Sequence, residues 1–258
     1  MSEGIHYGPA SLNRSYAAPE IENQRRVTLA ALALQPGESV LDVGCGSGFL
    51  TAEIATAVGA NGSVVAMDKS EEMVAATRER CQAMNQVAAQ TGDVTALPMA
   101  DQTYNAVTCT QVLLYVDQVE QALHEMVRVL KPGGRLAVLE TDWRGVVMAS
   151  SYPEITAAVF RGWDQTVPSP NLPTRLLPLM GQAGLEGVTA TAIPLLNSKY
   201  DPSTFSVSSL GWMTATARKQ GTISEQEAEQ WRGDLEALGK QGGYFFCVNR
   251  FLFVGRKA

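Results

Sequence analysis

The stretch Val40-Leu41-Asp42-Val43-Gly44-Cys45-Gly46-Ser47-Gly48 places three alternating glycines directly after a short apolar run. The apolar run predicts a buried β-strand, and residues 49–58 that follow have the pattern of a helix. Glycine permits positive φ values and lets the backbone pass close to a ligand. The stretch therefore predicts a sharp strand-to-helix turn that binds a ligand, and the alternative is a tight turn without one.

The spacing of the glycines bears on which ligand is bound. A dinucleotide site has the pattern G-x-G-x-x-G, because the pyrophosphate lies at the N-terminus of the following helix. Here the pattern is G-x-G-x-G, and Phe49 stands where the third glycine of a dinucleotide site belongs. Asp42, just before the first glycine, is poorly placed for a pyrophosphate and well placed for an ammonium or sulfonium group. The turn thus favours a nucleoside that carries an amino acid.

Strand and helix patterns alternate around this turn. The apolar runs show little polar alternation, which is typical of parallel strands covered on both faces by helices. Repeated β-α units with right-handed crossovers predict an open, doubly wound α/β sheet. The predicted strands cover residues 39–43, 63–67, 87–91, 106–110 and 135–141, and the predicted helices cover 19–34, 49–58, 70–84 and 117–130.

With these motifs the chain resembles the class I S-adenosylmethionine-dependent methyltransferases, in particular their ubiquinone/menaquinone-type, small-molecule branch. Residues 40–48 look like the first motif of that family, residues 92–94 like its third-strand motif, and RVLKPGG at 128–134 like the turn before its fifth strand. The resemblance covers roughly residues 36–141. It implies S-adenosylmethionine as the cofactor and methyl transfer as the reaction.

The resemblance also implies roles for single residues. Asp68 matches the acid that accepts both ribose hydroxyls, Asp93 the acid that accepts from the adenine amino group, and Met73 the residue against the adenine face. Thr110 and Gln111 would face the methionine part of the cofactor. An aromatic and a basic residue near the N-terminus would cover that part, for which the choices are Tyr16 and Arg25, with Tyr7 and Arg26 as alternatives. The expected cofactor-binding residues are Tyr16, Arg25, Asp42, Gly44, Cys45, Gly46, Asp68, Lys69, Met73, Gly92, Asp93, Val94, Thr110 and Gln111.

The second half of the chain has a different pattern. Helices are predicted over residues 172–183, 203–219 and 224–238, strands over 188–194 and 247–254, and no clear strand over 143–170. The expected fold is a Rossmann-like, seven-stranded α/β sheet, mostly parallel with an antiparallel last strand, plus a helical lid. As one domain of residues 1–258, it would comprise an arm and helix (1–35), the cofactor-binding core (36–142), lid insertions (143–170 and 196–243) and the rest of the sheet (172–195 and 244–258).

Methyl transfer from a sulfonium needs alignment and exclusion of water more than acid-base groups. The acceptor pocket is expected between the ends of strands four and five and the lid. Its candidate residues are Tyr115, Glu140, Asp142, Trp143 and 244–246. Asp142 and Tyr115 are the catalytic candidates, Asp142 because a carboxylate can hold an amine or hydroxyl near the methyl group. The alternative is that both acids cap local backbone and that the aromatic residues form the core of the lid.

The same cofactor motifs allow a second chemistry. Attack on the aminocarboxypropyl carbon, by another molecule or by the cofactor's own amine, would release methylthioadenosine. A cofactor-binding protein without catalysis, methylation of RNA or protein, and a nicotinamide-dependent oxidoreductase are further alternatives. The glycine spacing disfavours the last of these.

Composition narrows the partners and the compartment. The 258 residues carry a formal net charge of -6, whereas a broad nucleic-acid surface needs clustered Lys and Arg. No signal-peptide pattern and no apolar run of membrane length is present. The four cysteines, at 45, 81, 109 and 247, have no metal-binding spacing and predict free thiols in a reducing compartment. We therefore expect a cytoplasmic monomer or homodimer that acts on a small molecule, with no metal, nucleic acid or membrane.

Overall fold

The computed structural model describes residue 13 and residues 15–258. Tyr7, proposed as an alternative cover for the cofactor, lies outside the described residues. Among the residues that are described, no helix is long and apolar enough to cross a membrane.

Five parallel strands form the first part of a single sheet, in the order β3-β2-β1-β4-β5. Helices connect β1 to β2, β2 to β3 and β4 to β5, as the alternating pattern of the sequence predicts, whereas residues 92–103 join β3 to β4 without a helix. The strands are β1 (Ser39–Val43), β2 (Ser63–Asp68), β3 (Val87–Thr91), β4 (Tyr104–Thr110) and β5 (Leu130–Thr141), and the helices are α1 (Pro19–Leu32), α2 (Phe49–Val58), α3 (Glu71–Arg80) and α4 (Val119–Val129).

The late strands complete the sheet beside β5. They are β6 (Val147–Met148), β7 (Leu185–Asn197) and β8 (Phe246–Lys257), and β8 runs antiparallel to both β5 and β7. The predicted fold class, a mostly parallel α/β sheet with an antiparallel last strand, is confirmed. The sheet has eight strands where seven were expected, because β6 adds a two-residue ladder to β8 within a segment predicted to contain no strand. Two residues are too few to produce a readable alternation.

The strands are buried on both faces, which explains their continuous apolar runs. Val40, Ala106 and Leu139 belong to a core cluster that also contains α1 and α2 side chains. Their neighbours Leu41 and Val107 belong to a second cluster, which contains side chains of α4 and of α6 (Pro173–Gln182). The two-residue period of the strands therefore divides the core into two layers.

A third core cluster joins the remaining helices to the ends of β7 and β8. These helices are α5 (Pro153–Asp164), α7 (Phe205–Lys219) and α8 (Glu225–Lys240). The Trp143 ring lies at its centre, with ring centroids 6.1 Å from Phe160, 5.8 Å from Trp163 and 6.2 Å from Phe205. The capping box predicted at the start of α8 is present, since Ser224 and Glu227 bond each other's backbone N–H. The division of the chain into arm, core and lid insertions stays a prediction.

Candidate functional site

The glycine-rich turn connects β1 to α2 with positive φ at each of its glycines. Gly44 shows the constraint most clearly, with φ of 69°. A Cβ added there would stand 2.1 Å from Cγ2 of Val112, far inside van der Waals contact. The position therefore requires glycine both for its backbone conformation and for the close approach of the segment after β4.

Asp68 at the end of β2 holds the turn in place. Its Oδ2 accepts a hydrogen bond from the Gly46 N–H at 2.9 Å, and its Oδ1 accepts from the Ser70 N–H at 2.9 Å. Ser70 in turn caps α3 by accepting from the Met73 N–H at 3.4 Å. One carboxylate thus fixes both the glycine turn and the start of the next helix, at the carboxyl edge of the sheet where ligands bind in this class of fold.

A cleft of about 570 Å³ opens at this edge, within the roughly 300–1,000 Å³ typical of small-molecule sites. Asp93, which follows β3, lines the cleft and accepts from the Thr95 N–H and hydroxyl at 2.8 and 2.7 Å. These bonds hold the pKa of Asp93 below its ordinary value, so it is an ionised acceptor at neutral pH. Further residues that line the cleft are Tyr16, Gly44, Gly46, Asp68, Lys69, Met73, Gly92, Val94, Thr110, Gln111 and Tyr115.

An inner cavity adjoins the cleft beneath the glycine turn. Asp42 lines it, is only 2% exposed and accepts from the Thr51 hydroxyl at 2.6 Å. Burial, opposed by the Thr51 bond, raises the pKa of Asp42 to about 6. Arg25 also lines this cavity, but its Nε donates to Glu53 and its Nη1 to the Tyr16 carbonyl, both at 2.7 Å. Cys45 lies in the same lining.

The residues expected to bind the cofactor thus each line one of these two adjoining cavities, although they come from distant parts of the chain. Two features fit a nucleoside with an amino-acid arm. The turn offers backbone without side chains at Gly44 and Gly46, and an added Cβ at Gly46 would lie 3.6 Å from the Tyr16 ring. The Thr110 hydroxyl, which lines both cavities, is buried and has no hydrogen-bond partner among the described residues.

The two catalytic candidates differ in their positions. Tyr115 lines the cleft with its side chain 52% exposed. Asp142 is not in the lining of either cavity: its Oδ1 accepts from the backbone N–H and Nε of Arg144, at 3.1 and 2.8 Å, and its Oδ2 also pairs with that arginine. The structure thus does not bring Asp142 into the cleft, and the catalytic role of either residue stays a prediction.

Glu140, a candidate for the acceptor pocket, is fully buried at the end of β5. Its Oε1 accepts from the backbone N–H groups of Val112 and Leu113 at 3.0 and 2.7 Å, as in the backbone-capping alternative. Burial raises the pKa of Glu140 to about 8, in spite of these bonds. Trp143 lies within the third core cluster, which matches the other alternative, that the aromatic residues are core.

Arg250 of β8 also lines the inner cavity, and the sequence analysis did not predict this residue as part of the site. It is 4% exposed, and its Nη1 donates to the side-chain oxygen of Gln24. The sequence did contain a signal, a single charged residue inside the apolar run 247–254. Such a residue has the same appearance whether its strand face meets solvent, a partner or a cavity.

Known proteins resemble this chain at several levels. A family model described as a methyltransferase domain matches residues 40–134. An uncharacterised 37.1 kDa protein in transposon TN4556 of Streptomyces fradiae is 32% identical over 90% of this chain and 66% of its own length. A demethylmenaquinone methyltransferase of Shouchella clausii is 38% identical over 51% of this chain and 57% of its own length. The chain thus spans between about half and two thirds of these curated relatives.

The fold also resembles that of solved structures. The YcgJ protein of Bacillus subtilis has a solved structure that superimposes with a TM-score of 0.64 and 20% identity, over 92% of this chain and 98% of the other. A parallel sheet with a glycine turn and acids at its strand ends defines a nucleoside-binding protein of the Rossmann-like class. Within that class, residues 40–134 belong to the class I S-adenosylmethionine-dependent methyltransferases, an enzyme family whose cofactor is S-adenosylmethionine. The family predicted from residues 36–141 is confirmed.

Proposed function

We propose that this protein transfers the methyl group of S-adenosylmethionine to a small-molecule acceptor and releases S-adenosylhomocysteine. The observation that carries the proposal is the juxtaposition of Asp68 and Asp93, at the ends of neighbouring strands, in one cleft with the glycine turn. Two acids at the ends of neighbouring strands suit the hydroxyls of a ribose and the amino group of an adenine. The family assignment supports the same reading.

The residues of the site would bind and orient the two reactants. When bound, S-adenosylmethionine supplies a methyl group already activated by its sulfonium charge. Asp68 would accept from the ribose hydroxyls with the lone pairs that Gly46 and Ser70 leave free. Asp42, buried below the turn, would favour the positive charges of the amino-acid arm, and Tyr16 would exclude water from above.

A small acceptor is supported by charge and by shape. The net charge of -6 disfavours a nucleic-acid substrate. The cleft of about 570 Å³ has a volume typical of small-molecule sites. The name of the Shouchella relative is consistent with a small-molecule acceptor, but the family model ends at residue 134, before the predicted lid. Acceptor choice would therefore be a property of the lid.

We also propose a cytoplasmic location. The four cysteines of the chain, all among the described residues, are free thiols, and Cys45, Cys81 and Cys109 are buried. Unpaired buried thiols are typical of proteins in a reducing compartment. A monomer or homodimer stays the expectation for its oligomeric state.

Product analysis tests the proposed function. The purified protein is incubated with S-adenosylmethionine, with and without a small-molecule fraction of cell extract, and the nucleoside products are measured by mass spectrometry. We expect S-adenosylhomocysteine to form only with the extract, and an Asp68→Ala variant to form none. Methylthioadenosine as the product would instead show chemistry at the aminocarboxypropyl arm. Failure to form either product across extracts, by a protein that binds the cofactor, would favour a binding protein without catalysis.

A further inference from the structure

Arg250 is a buried cation that lines the inner cavity. It comes from β8, opposite Thr141 of β5 in the sheet register, and its side chain reaches the lining shared by Gly44 and Gly46. Only 4% of the residue is exposed. A guanidinium in such a position stays charged, because burial lowers its pKa only to about 10.

The charge of Arg250 has no close counter-ion within the part of the chain that the structure describes. No carboxylate there forms an ion pair with it. Its Nη1 bonds a neutral amide oxygen of Gln24, its guanidinium carbon lies 5.0 Å from the Phe205 ring centroid, and its Nε is buried without a hydrogen-bond partner. A buried charge left in this state is strongly unfavourable unless an anion completes it.

The acids that act on Arg250 from a distance are already engaged. Tyr16, Tyr115, Glu140 and Glu20 all raise the pKa of Arg250 electrostatically, and of these Glu140 and Glu20 are the carboxylic acids. However, Oε1 of Glu140 accepts from two backbone N–H groups after β4, and Oε1 of Glu20 accepts from Asn197 and from the Phe205 N–H at 2.7 and 2.6 Å. Neither acid lines the inner cavity. Asp42, the acid that does line the cavity, accepts from Thr51 and forms no ion pair with Arg250 within the described residues. A further anion that pairs with Arg250 within the cavity would therefore belong to a ligand.

Arg25, the other cation of the cavity, has its charge satisfied within the protein. Its Nε pairs with Glu53 and its Nη1 with the Tyr16 carbonyl, both at 2.7 Å. Of the two arginines, Arg250 is thus the one whose hydrogen-bonding capacity is left for a ligand. The cavity also contains Asp42, so it presents an acid and a guanidinium, which complement the ammonium and carboxylate of an α-amino acid.

We propose that Arg250 binds the carboxylate of the amino-acid arm of S-adenosylmethionine, whereas the sequence analysis chose Arg25 as the basic residue covering that arm. This inference rests on the proposed function, because it takes the nucleoside to be that cofactor. It makes the last strand of the sheet part of the cofactor site, although the family motifs lie in the first half of the chain. The other source of a carboxylate in this cavity is the acceptor, and the test separates the two.

The test removes one group from the protein and one group from the ligand, separately and together, and measures each affinity by isothermal titration calorimetry. S-adenosylmethionine and its decarboxylated form differ only in the carboxylate, so their affinity ratio reports what binds it. Wild-type protein is compared with Arg250→Met and with Arg256→Met. Arg256 is a matched control, since it lies on the same strand, is exposed and donates to the Gly133 carbonyl at the far end of the sheet.

We expect Arg250→Met to weaken S-adenosylmethionine binding by about 10- to 100-fold, the range of a charge-assisted hydrogen bond. The affinity of the decarboxylated form should change by less than about 3-fold, and Arg256→Met should match the wild type for both ligands. Arg250→Lys, which keeps the charge, gives the same comparison if the Met variant does not fold.

Three results would overturn the inference. Equal loss of affinity for both ligands would mean that Arg250 only supports the structure of the cavity. Unchanged S-adenosylmethionine affinity would mean that Arg250 does not bind the cofactor and is left for the acceptor. A wild-type protein that binds neither nucleoside would refute the proposed function itself, which distinguishes that failure from the other two.

Discussion

Replacing Gly44 by alanine tests the packing of the glycine turn against the segment after β4. The residue has φ of 69°, which costs an L-residue about 1–2 kcal/mol. The added Cβ would stand 2.1 Å from Cγ2 of Val112 and 3.3 Å from both its Cβ and Cγ1. Rotation of Val112 relieves this contact only at a cost, because its Cβ is also close and a β-branched side chain is stiff at χ1.

The clash therefore adds an overpacking cost of about 1–3 kcal/mol. We expect Gly44→Ala to lower the free energy of unfolding by about 2–5 kcal/mol in total, and to weaken S-adenosylmethionine binding because the turn must shift. Urea unfolding at equilibrium measures the first effect and calorimetric titration the second. Because the free energy of unfolding of a folded domain is itself small, urea unfolding detects a loss of this size easily.

Gly37→Ala is the matched control. Gly37 also has a positive φ, of 87°, but an added Cβ would meet nothing within 4 Å. Its replacement should cost only the conformational part, about 1–2 kcal/mol, with unchanged cofactor binding. The double variant Gly44→Ala, Val112→Ala should regain part of the lost stability. If Gly44→Ala and Gly37→Ala lose the same amount, the steric argument at Val112 is wrong.

Three further variants probe the acids and the aromatic cluster. Asp68→Ala should weaken S-adenosylmethionine binding by at least about 100-fold in calorimetric titration, since it removes a charged acceptor and frees the Gly46 N–H; unchanged affinity would remove its ribose assignment. Burial raises the pKa of Glu140 from 4.5 to about 8. Between these two pH values the folded state binds more protons than the unfolded state, so the free energy of unfolding falls as pH rises through this range. Glu140→Gln stays neutral, and its Tm should therefore fall less than that of the wild type between pH 6 and 9; parallel curves would contradict this. Trp143→Ala should lower the free energy of unfolding by about 3–5 kcal/mol in urea, because it leaves a cavity among four aromatic rings; a loss below about 1 kcal/mol would mean that the cluster collapses around it.

Much of the nucleoside half of the site is predictable from sequence because its determinants are local. The strand before Gly44, the acid at Asp68 and the cap at Ser70 each follow from a short run of residues with a definite backbone requirement. Parallel strands end at the same edge of the sheet, so acids at the ends of β2 and β3 are brought together without further information. Their binding roles remain to be tested by the variants above.

The opposite half of the site depends on contacts that no short stretch contains. Asp142 comes directly after β5 and Asp68 is the last residue of β2, yet the Asp142 side chain turns to Arg144, two residues on, and does not line the cleft. The helix α3 ends at Arg80 instead of residue 84, since the chain turns there to enter β3. Local competition of this kind is decided by small differences that a pattern of apolar residues does not record.

The sequence by itself determined the parallel sheet, the glycine turn after β1 and the family, because periodicity, glycine spacing and strand-end acids act over a few residues. Only the tertiary structure decided that Arg250 lies under the same turn as Gly46, about two hundred residues earlier in the chain. The physical reason is register: β8 pairs antiparallel with β5 so that Arg250 meets Thr141, and that alignment places one buried guanidinium at the cavity. A lone arginine in an apolar strand does not show whether its charge is buried, and the packing of distant strands determines what it faces.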